Sequence, residues 1–175
     1  YNPLFIYSEI GMGKTHLLNA IGLEIGNKKK VMFISAERFM YHFVKSLRNN
    51  DMVKFKDLFR TANVFIIDDI QFLRGKEATQ EEFYHTFNSL IERGAQIIIS
   101  SDRSPSNLDR VQDQIKSRLA GGLVIDIQSP DFNLRKKILS SKVKEIEKNF
   151  NENYNLDEKL LDFLASEIKT NIREM

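Results

Sequence analysis

A glycine-containing loop near the start of the chain carries the residues best suited to hold phosphate groups. Residues 8–15 read Ser-Glu-Ile-Gly-Met-Gly-Lys-Thr, between the apolar run 4–7 and the amphipathic stretch 16–21. In such a loop, small residues let backbone N–H groups turn inward, and the following helix N-terminus adds partial positive charge. Lys14 can neutralise phosphate oxygens, and the Thr15 hydroxyl can bind Mg²⁺. Strand, loop and helix in this order predict a nucleoside-triphosphate site of the P-loop type.

The loop departs from the usual pattern at Ser8, which stands where the first glycine belongs. If this position needs a positive φ, serine costs roughly 1 kcal/mol or more there. The alternative interpretation of the segment is a glycine turn followed by a surface lysine. The flanking strand and helix patterns favour the phosphate site.

Acidic residues follow two predicted strands at the point where each strand ends. The run Val64–Ile67 leads into Asp68 and Asp69, and the run Ile97–Ile99 leads through two serines into Asp102. Ligands of open α/β sheets bind outside the carboxyl ends of the strands, so these carboxylates are expected beside the P-loop. We assign Asp68 to Mg²⁺, the Walker B role, and Asp69 to orienting or deprotonating water. The alternatives are a capping or turn pair at Asp68 and Asp69, and turn chemistry at Asp102.

The elements that must position these residues form an α/β pattern. Short apolar runs alternate with longer segments of helical period, which predicts a parallel sheet with helices on both faces. The predicted strands are Leu4–Tyr7, Val31–Ser35, Val64–Ile67, Gln96–Ser100 and Leu123–Ile127. Between the second and third strands, an apolar seam at helical spacing comprises Met40, Phe43, Val44 and Leu47.

The composition changes at Ser129-Pro130-Asp131, after which only helical patterns follow. We therefore predict an α/β domain at 1–129 and a partial helical domain at 130–175. The chain reads as a fragment, because Tyr1 directly precedes the first strand and Met175 falls within an unfinished helical pattern.

Composition bounds the class of protein. The chain has 175 residues, 42% hydrophobic and 29% charged, which is typical of a globular protein. It has no cysteine, which excludes disulfides, thiolate zinc sites and cysteine nucleophiles. No apolar run approaches the ~18 residues that a membrane span requires. The net charge of +2 does not by itself indicate nucleic acid, and the run Lys28-Lys29-Lys30 is more typical of a solvated turn than of a nucleic-acid site.

Seven segments of the sequence, some of which include the motifs above, carry a resemblance to a known family. They are residues 1–7, 13–18, 34–39, 67–73, 79–88, 101–103 and 171–174. They resemble the bacterial replication initiator family DnaA, in the same order and over nearly the whole chain. The resemblance implies a P-loop AAA+ three-layer fold with a five-stranded parallel sheet, followed by a truncated α-helical lid. It also implies cytoplasmic localisation, and contacts with a replicative helicase and regulators through domains outside this chain.

The resemblance also implies roles for individual residues. The residues implied to bind ATP or ADP are Gly11, Met12, Gly13, Lys14, Thr15 and His16, with Arg173 at the sensor-2 position. Thr15 and Asp68 are the implied Mg²⁺ ligands, Asp69 completes Walker B, and Asp102 takes the sensor-1 position. Arg118 matches the arginine finger, which acts on ATP held by the neighbouring subunit of a homo-oligomer. Without the resemblance, an exposed helical arginine in a weak ion pair is an equally good interpretation of Arg118.

Members of this family carry a helical insertion between the second and third strands, to which residues 37–60 correspond. In assembled filaments the insertion and the segment after Walker B line a channel for single-stranded DNA. Val44 and Lys76 fall at matching positions, although spacing alone places Val44 in the apolar core.

Ser8 and Glu9 replace a small, usually glycine-containing pair of the family pattern. Two further departures remove a positive charge. Gln114 and Ala78 stand where the family commonly has arginine. The guanidinium missing at Gln114 removes a planar, bidentate subunit contact. Arg74, four residues before Ala78, is a candidate substitute at the DNA channel.

The function that follows is a nucleotide-switched assembly ATPase for replication initiation, which engages single-stranded origin DNA and uses slow ATP hydrolysis as an off-switch. One alternative is a helicase loader or transposition helper of the same ATPase clan, against which the long insertion argues. The other is a small-molecule kinase, for which the sequence offers neither an acceptor pocket nor an acidic lid.

Overall fold

A five-stranded parallel sheet forms the centre of the computed structural model, which describes residues 1–150, 157–168 and 172. The strands are β1 (Leu4–Tyr7), β2 (Val31–Ser35), β3 (Val64–Asp68), β4 (Gln96–Ser101) and β5 (Leu123–Asp126). They lie side by side in the order β2-β3-β4-β1-β5, and every neighbouring pair is parallel. Each strand ends within one residue of its predicted limit, so the prediction of an α/β fold with five parallel strands is confirmed.

Helices cover both faces of this sheet. The described helices are α1 (Lys14–Gly26), α2 (Ala36–Arg48), α3 (Met52–Arg60), α4 (Glu77–Glu92), α5 (Asp113–Ala120), α6 (Phe132–Phe150) and α7 (Glu158–Glu167), with 3₁₀ helices at Ile70–Leu73 and Pro105–Asn107. On one face, Leu18 of α1 packs with Ile6, Ile66 and Ile98. The second and larger cluster joins residues of α2, α3, α4 and α5 to the opposite sheet face. This arrangement gives the predicted three layers.

The predicted insertion consists of two helices, α2 and α3, anchored by aromatic residues. Phe39 is fully buried and contacts Phe55, Phe59 and Phe83 at ring-centroid distances of 5.4, 5.2 and 6.0 Å. The buried residues of α2 are Ala36, Phe39 and Phe43. The prediction of its apolar seam is therefore wrong in part, since it shares only Phe43 with this set. Val44 and Leu47 are 37% and 51% exposed.

The chain divides into two compact units. The first comprises residues 1–9 and 14–127 and holds the sheet, and the second comprises residues 10–13 and 128–175. Within the second unit, Arg135 of α6 donates from Nε to the Ala165 carbonyl of α7 at 2.8 Å. The division into domains at 1–129 and 130–175 stays a prediction. None of the described helices is long and apolar enough to cross a membrane.

Candidate nucleotide site and subunit-contact residues

Two glycines of the P-loop adopt a backbone conformation that other residues rarely take. Gly11 and Gly13 have φ of +85° and +86°, which strains any residue that carries a Cβ. Ser8 is absent from the residues with positive φ, so the cost considered for serine at that position does not arise. Instead Ser8 is buried, and its hydroxyl donates to the Glu9 carbonyl at 2.9 Å.

The ammonium group of Lys14 is held by the first two residues of this loop. Lys14 is 8% exposed and donates from Nζ to the Ser8 carbonyl, the Glu9 carbonyl and the Ser8 Oγ at 2.9, 2.9 and 3.1 Å. A buried ammonium needs partners of this kind to offset desolvation. Phosphate oxygens are anionic and therefore stronger acceptors for an ammonium than these neutral oxygens.

Two oxygen ligands suited to Mg²⁺ lie side by side where α1 begins and β3 ends. Thr15 Oγ1 donates to Asp68 Oδ2 at 2.7 Å, and the other Asp68 oxygen accepts from Ser100 Oγ. Asp68 is 5% exposed and forms the last residue of a strand buried along its whole length. The structure therefore brings together the two residues that the sequence predicts as metal ligands.

Asp69 adopts a left-handed conformation, with φ 57° and ψ 56°. Aspartate tolerates this region better than most residues because its short side chain bonds locally. Its backbone N–H donates to Ser100 Oγ at 2.8 Å, and its Oδ1 accepts from Gln71 Nε2 at 3.0 Å. Gln71 Oε1 in turn accepts from the Asp102 backbone N–H at 3.3 Å. These bonds fix the main chain of Asp69 and Asp102 relative to each other.

The carboxylate of Asp102 is occupied by its neighbour. Arg103 donates from Nε and Nη2 to the two Asp102 oxygens, each at 2.9 Å. The hydrogen bond and charge of Asp102 raise the pKa of the Arg103 guanidinium. Asp102 therefore lies at the predicted strand end, with each of its carboxylate oxygens bound to Arg103.

The remaining predicted residues differ in exposure and place. Met12 is buried and His16 is exposed in the first turn of α1. Arg118 is exposed on α5, and Lys76 is exposed directly before α4. Arg173 lies outside the described residues.

The exposure of Val44 overturns the interpretation that spacing alone favours. Its side chain is 37% exposed on α2 instead of packing in the core. This accessibility is compatible with contact to a partner.

Sequence reasoning missed Ser100, whose hydroxyl accepts from the Asp69 backbone N–H and donates to the Asp68 carboxylate. It is fully buried at the carboxyl end of β4. The signal available in the sequence is a serine that directly follows three consecutive isoleucines of a buried strand.

Comparison with known proteins agrees with the fold. A model of the bacterial DnaA ATPase domain matches residues 1–126. The chromosomal replication initiator protein DnaA of Rickettsia canadensis is 51% identical over 99% of this chain, which spans 37% of that relative. A similarity of this extent goes well beyond a shared fold.

Solved structures give the same result. The AMPPCP-bound DnaA from Aquifex aeolicus has 39% identity and a TM-score of 0.88, and a replication initiator DnaA bound to AMPPCP and single-stranded DNA has 40% identity and a TM-score of 0.85. Each covers 99% of this chain, which in turn covers 52% of theirs. A DnaC helicase loader, with 18% identity and a TM-score of 0.61, shares the fold alone. The chain therefore belongs to the bacterial DnaA ATPase domain family.

Proposed function

We propose that this chain binds ATP with Mg²⁺, and that the bound nucleotide controls its assembly with further copies on single-stranded origin DNA. The observation that carries the proposal is the grouping of Lys14, Thr15 and Asp68 at the carboxyl ends of the strands. A buried ammonium beside a hydroxyl–carboxylate pair suits a phosphate group and its cation.

The phosphates bind to residues 11–16 in this proposal. Backbone N–H groups of the loop and of the first turn of α1 cradle the oxygens, and Lys14 exchanges its loop acceptors for them. A phosphate makes stronger, charge-assisted bonds than the carbonyls of Ser8 and Glu9. Arg173 is proposed to contact the γ-phosphate from the same subunit.

The donor set at Thr15 and Asp68 fits Mg²⁺. Two adjacent oxygens, one of them anionic, are the usual protein contribution to a Mg²⁺ that also binds phosphate and water. The described residues contain no group of three or more His, Cys, Asp or Glu that could hold a metal ion. When bound, Mg²⁺ neutralises charge on the phosphate oxygens.

Hydrolysis requires water to attack the γ-phosphorus in line with the bond to ADP. Asp69 orients this water and accepts its proton, while the bridging oxygen leaves with ADP. Asp102, at the sensor-1 position, takes part in hydrolysis once its carboxylate is released from Arg103. Arg118 of the neighbouring subunit stabilises the transferring phosphoryl group. Because that contact requires the γ-phosphate, its loss weakens the assembly and hydrolysis acts as an off-switch.

Single-stranded DNA is the proposed substrate of the assembled state. Val44 offers an exposed apolar side chain on α2, and Lys76 offers an exposed ammonium before α4. A solved DnaA with 40% identity is bound to single-stranded DNA, which supports this assignment. The alternative of a helicase loader is supported only by the shared fold.

Replacing Lys76 by alanine is expected to weaken ATP-dependent binding of a labelled single-stranded oligonucleotide, because one lysine–phosphate contact is lost. The slope of log affinity against log salt should fall by about 0.7, the value for one phosphate of a single strand. Fluorescence anisotropy at several salt concentrations, with ATP and with ADP, measures both effects. Lys29→Ala is the matched control, and it also tests the basic run 28–30. Equal slopes for Lys76→Ala and Lys29→Ala would contradict the assignment.

A further inference from the structure

Ser100 lies at the carboxyl end of the strand that runs between the two strands leading into the candidate site. In the sheet, β4 lies between β3, which leads into Asp68 and Asp69, and β1, which leads into the P-loop. The Ser100 side chain is fully buried and bonds to both aspartates. The next residue, Ser101, accepts at its carbonyl from the Ser8 N–H at 3.3 Å. The end of β4 is therefore bonded to both segments that form the site.

The direction of each hydrogen bond at Ser100 follows from the groups that take part. A backbone N–H can only donate, so the Ser100 oxygen accepts from Asp69, with a nitrogen–oxygen distance of 2.8 Å. The hydroxyl carries one proton, and an ionised carboxylate can only accept, so this proton is directed to Asp68 Oδ1. The two aspartates together therefore define one orientation of the Ser100 hydroxyl.

This orientation determines which oxygen of Asp68 faces the P-loop helix. Because Oδ1 is bound to Ser100, it is Oδ2 that accepts from Thr15 Oγ1 at 2.7 Å. Asp68 is only 5% exposed, and a buried carboxylate needs hydrogen-bond donors within the protein to offset its desolvation. Without the Ser100 hydroxyl, Oδ1 loses its donor and the rotation of the carboxylate is less restricted.

We propose that Ser100 is a positioning residue for the Mg²⁺ site, because its hydroxyl holds the Asp68 carboxylate in the orientation that presents Oδ2 beside Thr15. This inference rests on the proposed binding of Mg²⁺ by Thr15 and Asp68. Ser100 itself needs no contact with the metal or the nucleotide. Hydrogen bonds from residues behind a ligating carboxylate orient it, and loss of such a partner typically lowers metal affinity about 10–100-fold.

Titration of a fluorescent ADP analogue at a series of Mg²⁺ concentrations separates this role from a general structural one. Affinity in EDTA reports the P-loop without the metal, and the Mg²⁺ concentration that gives half of the gain in affinity reports the metal site. Ser100→Ala removes the hydroxyl with little change in volume. We expect it to raise that Mg²⁺ concentration about tenfold and to leave the affinity in EDTA within about twofold.

Two further variants serve as controls. Ser100→Thr keeps a hydroxyl at the position and is expected to hold the Mg²⁺ requirement within about twofold of the wild type. Ser101→Ala removes an equally buried hydroxyl from the next residue of β4. That hydroxyl accepts from the Arg103 N–H at 3.4 Å, so its loss should also change the Mg²⁺ requirement by no more than about twofold.

The outcomes are distinguishable. An unchanged Mg²⁺ requirement in Ser100→Ala, or an equal increase in Ser101→Ala, overturns the positioning role and leaves the proposed site intact. Equal losses of affinity with and without Mg²⁺ in Ser100→Ala also overturn it, since they indicate damage to the fold. If wild-type affinity does not depend on Mg²⁺, the proposed metal site fails, and this inference with it. Should Ser100→Ala fail to fold, Ser100→Cys decides the question, because its thiol fills the same space but is a weaker donor.

Discussion

Replacement of Lys14 by alanine is expected to weaken the binding of both ATP and ADP by at least about 100-fold. The ammonium group is buried and is held by the carbonyls of Ser8 and Glu9 at the start of the P-loop. Loss of hydrogen bonds to charged groups, each worth about 1.5–3 kcal/mol, accounts for a change of this size. Titration of fluorescent ATP and ADP analogues in the presence of Mg²⁺ measures it.

The control for this experiment is Lys29→Ala, which removes an exposed ammonium beyond the end of α1. Unchanged affinity in the Lys29 variant confirms that the effect is not one of net charge. Similar affinities for the wild type and the Lys14 variant would show that the buried lysine does not contact phosphate. Tight binding by the wild type also shows that Ser8 and Glu9 are compatible with a working loop.

Replacement of Arg118 by alanine is expected to leave ATP affinity within about twofold and to abolish ATP-dependent assembly. The side chain is exposed on α5, outside the P-loop residues 8–15 that are proposed to hold the nucleotide. An arginine that acts on a neighbour's phosphate is worth about 10³–10⁵ in hydrolysis rate. Phosphate release and sedimentation of the variant with ATP measure the two losses.

Arg93→Ala provides the matched control, since Arg93 is an exposed arginine that follows α4 at some distance from α5 along the chain. If Arg118→Ala impairs assembly no more than Arg93→Ala does, Arg118 is a surface arginine of the ordinary kind. If Arg118→Ala also loses ATP affinity, the residue acts within its own subunit.

The strands could be predicted because each one is a short run of apolar residues, a pattern that is visible within the segment itself. Ile97–Ile99 reads as a strand buried on both faces, and all three residues are buried in β4. The catalytic candidates at strand ends follow from the same signal, since parallel strands present their carboxyl ends at one edge. Thr15 and Asp68 therefore come together as the sequence suggests.

The insertion was predicted only in outline. Residues 37–60 are predicted to be helical, but the buried stripe of α2 is rotated from the predicted one toward Ala36 and Phe39, and only Phe43 belongs to both. Helical spacing permits two adjacent stripes on such a helix, and the aromatic cluster with Phe55 and Phe83 selects one of them. That selection is a tertiary effect, which periodicity within α2 cannot reveal.

The hydrogen bonds between side chains of one element and residues of another could not be predicted from the sequence. Ser100 bonds to Asp68 and Asp69 because β4 lies beside β3, a neighbour relation that the order along the chain does not specify. Gln80 bonds to Gln112 over 32 positions for a similar reason. A polar residue in a buried strand or helix marks such partners only once the fold is known.

The central claim is that the γ-phosphate joins neighbouring copies, and sedimentation velocity of the wild-type protein tests it most directly. With Mg²⁺ and either ATP or ADP at saturating concentration, we predict oligomers with ATP and monomers with ADP. The difference follows because the two nucleotides differ only in the group that Arg118 is proposed to contact. The same sedimentation profile with both nucleotides would contradict the nucleotide-switched assembly.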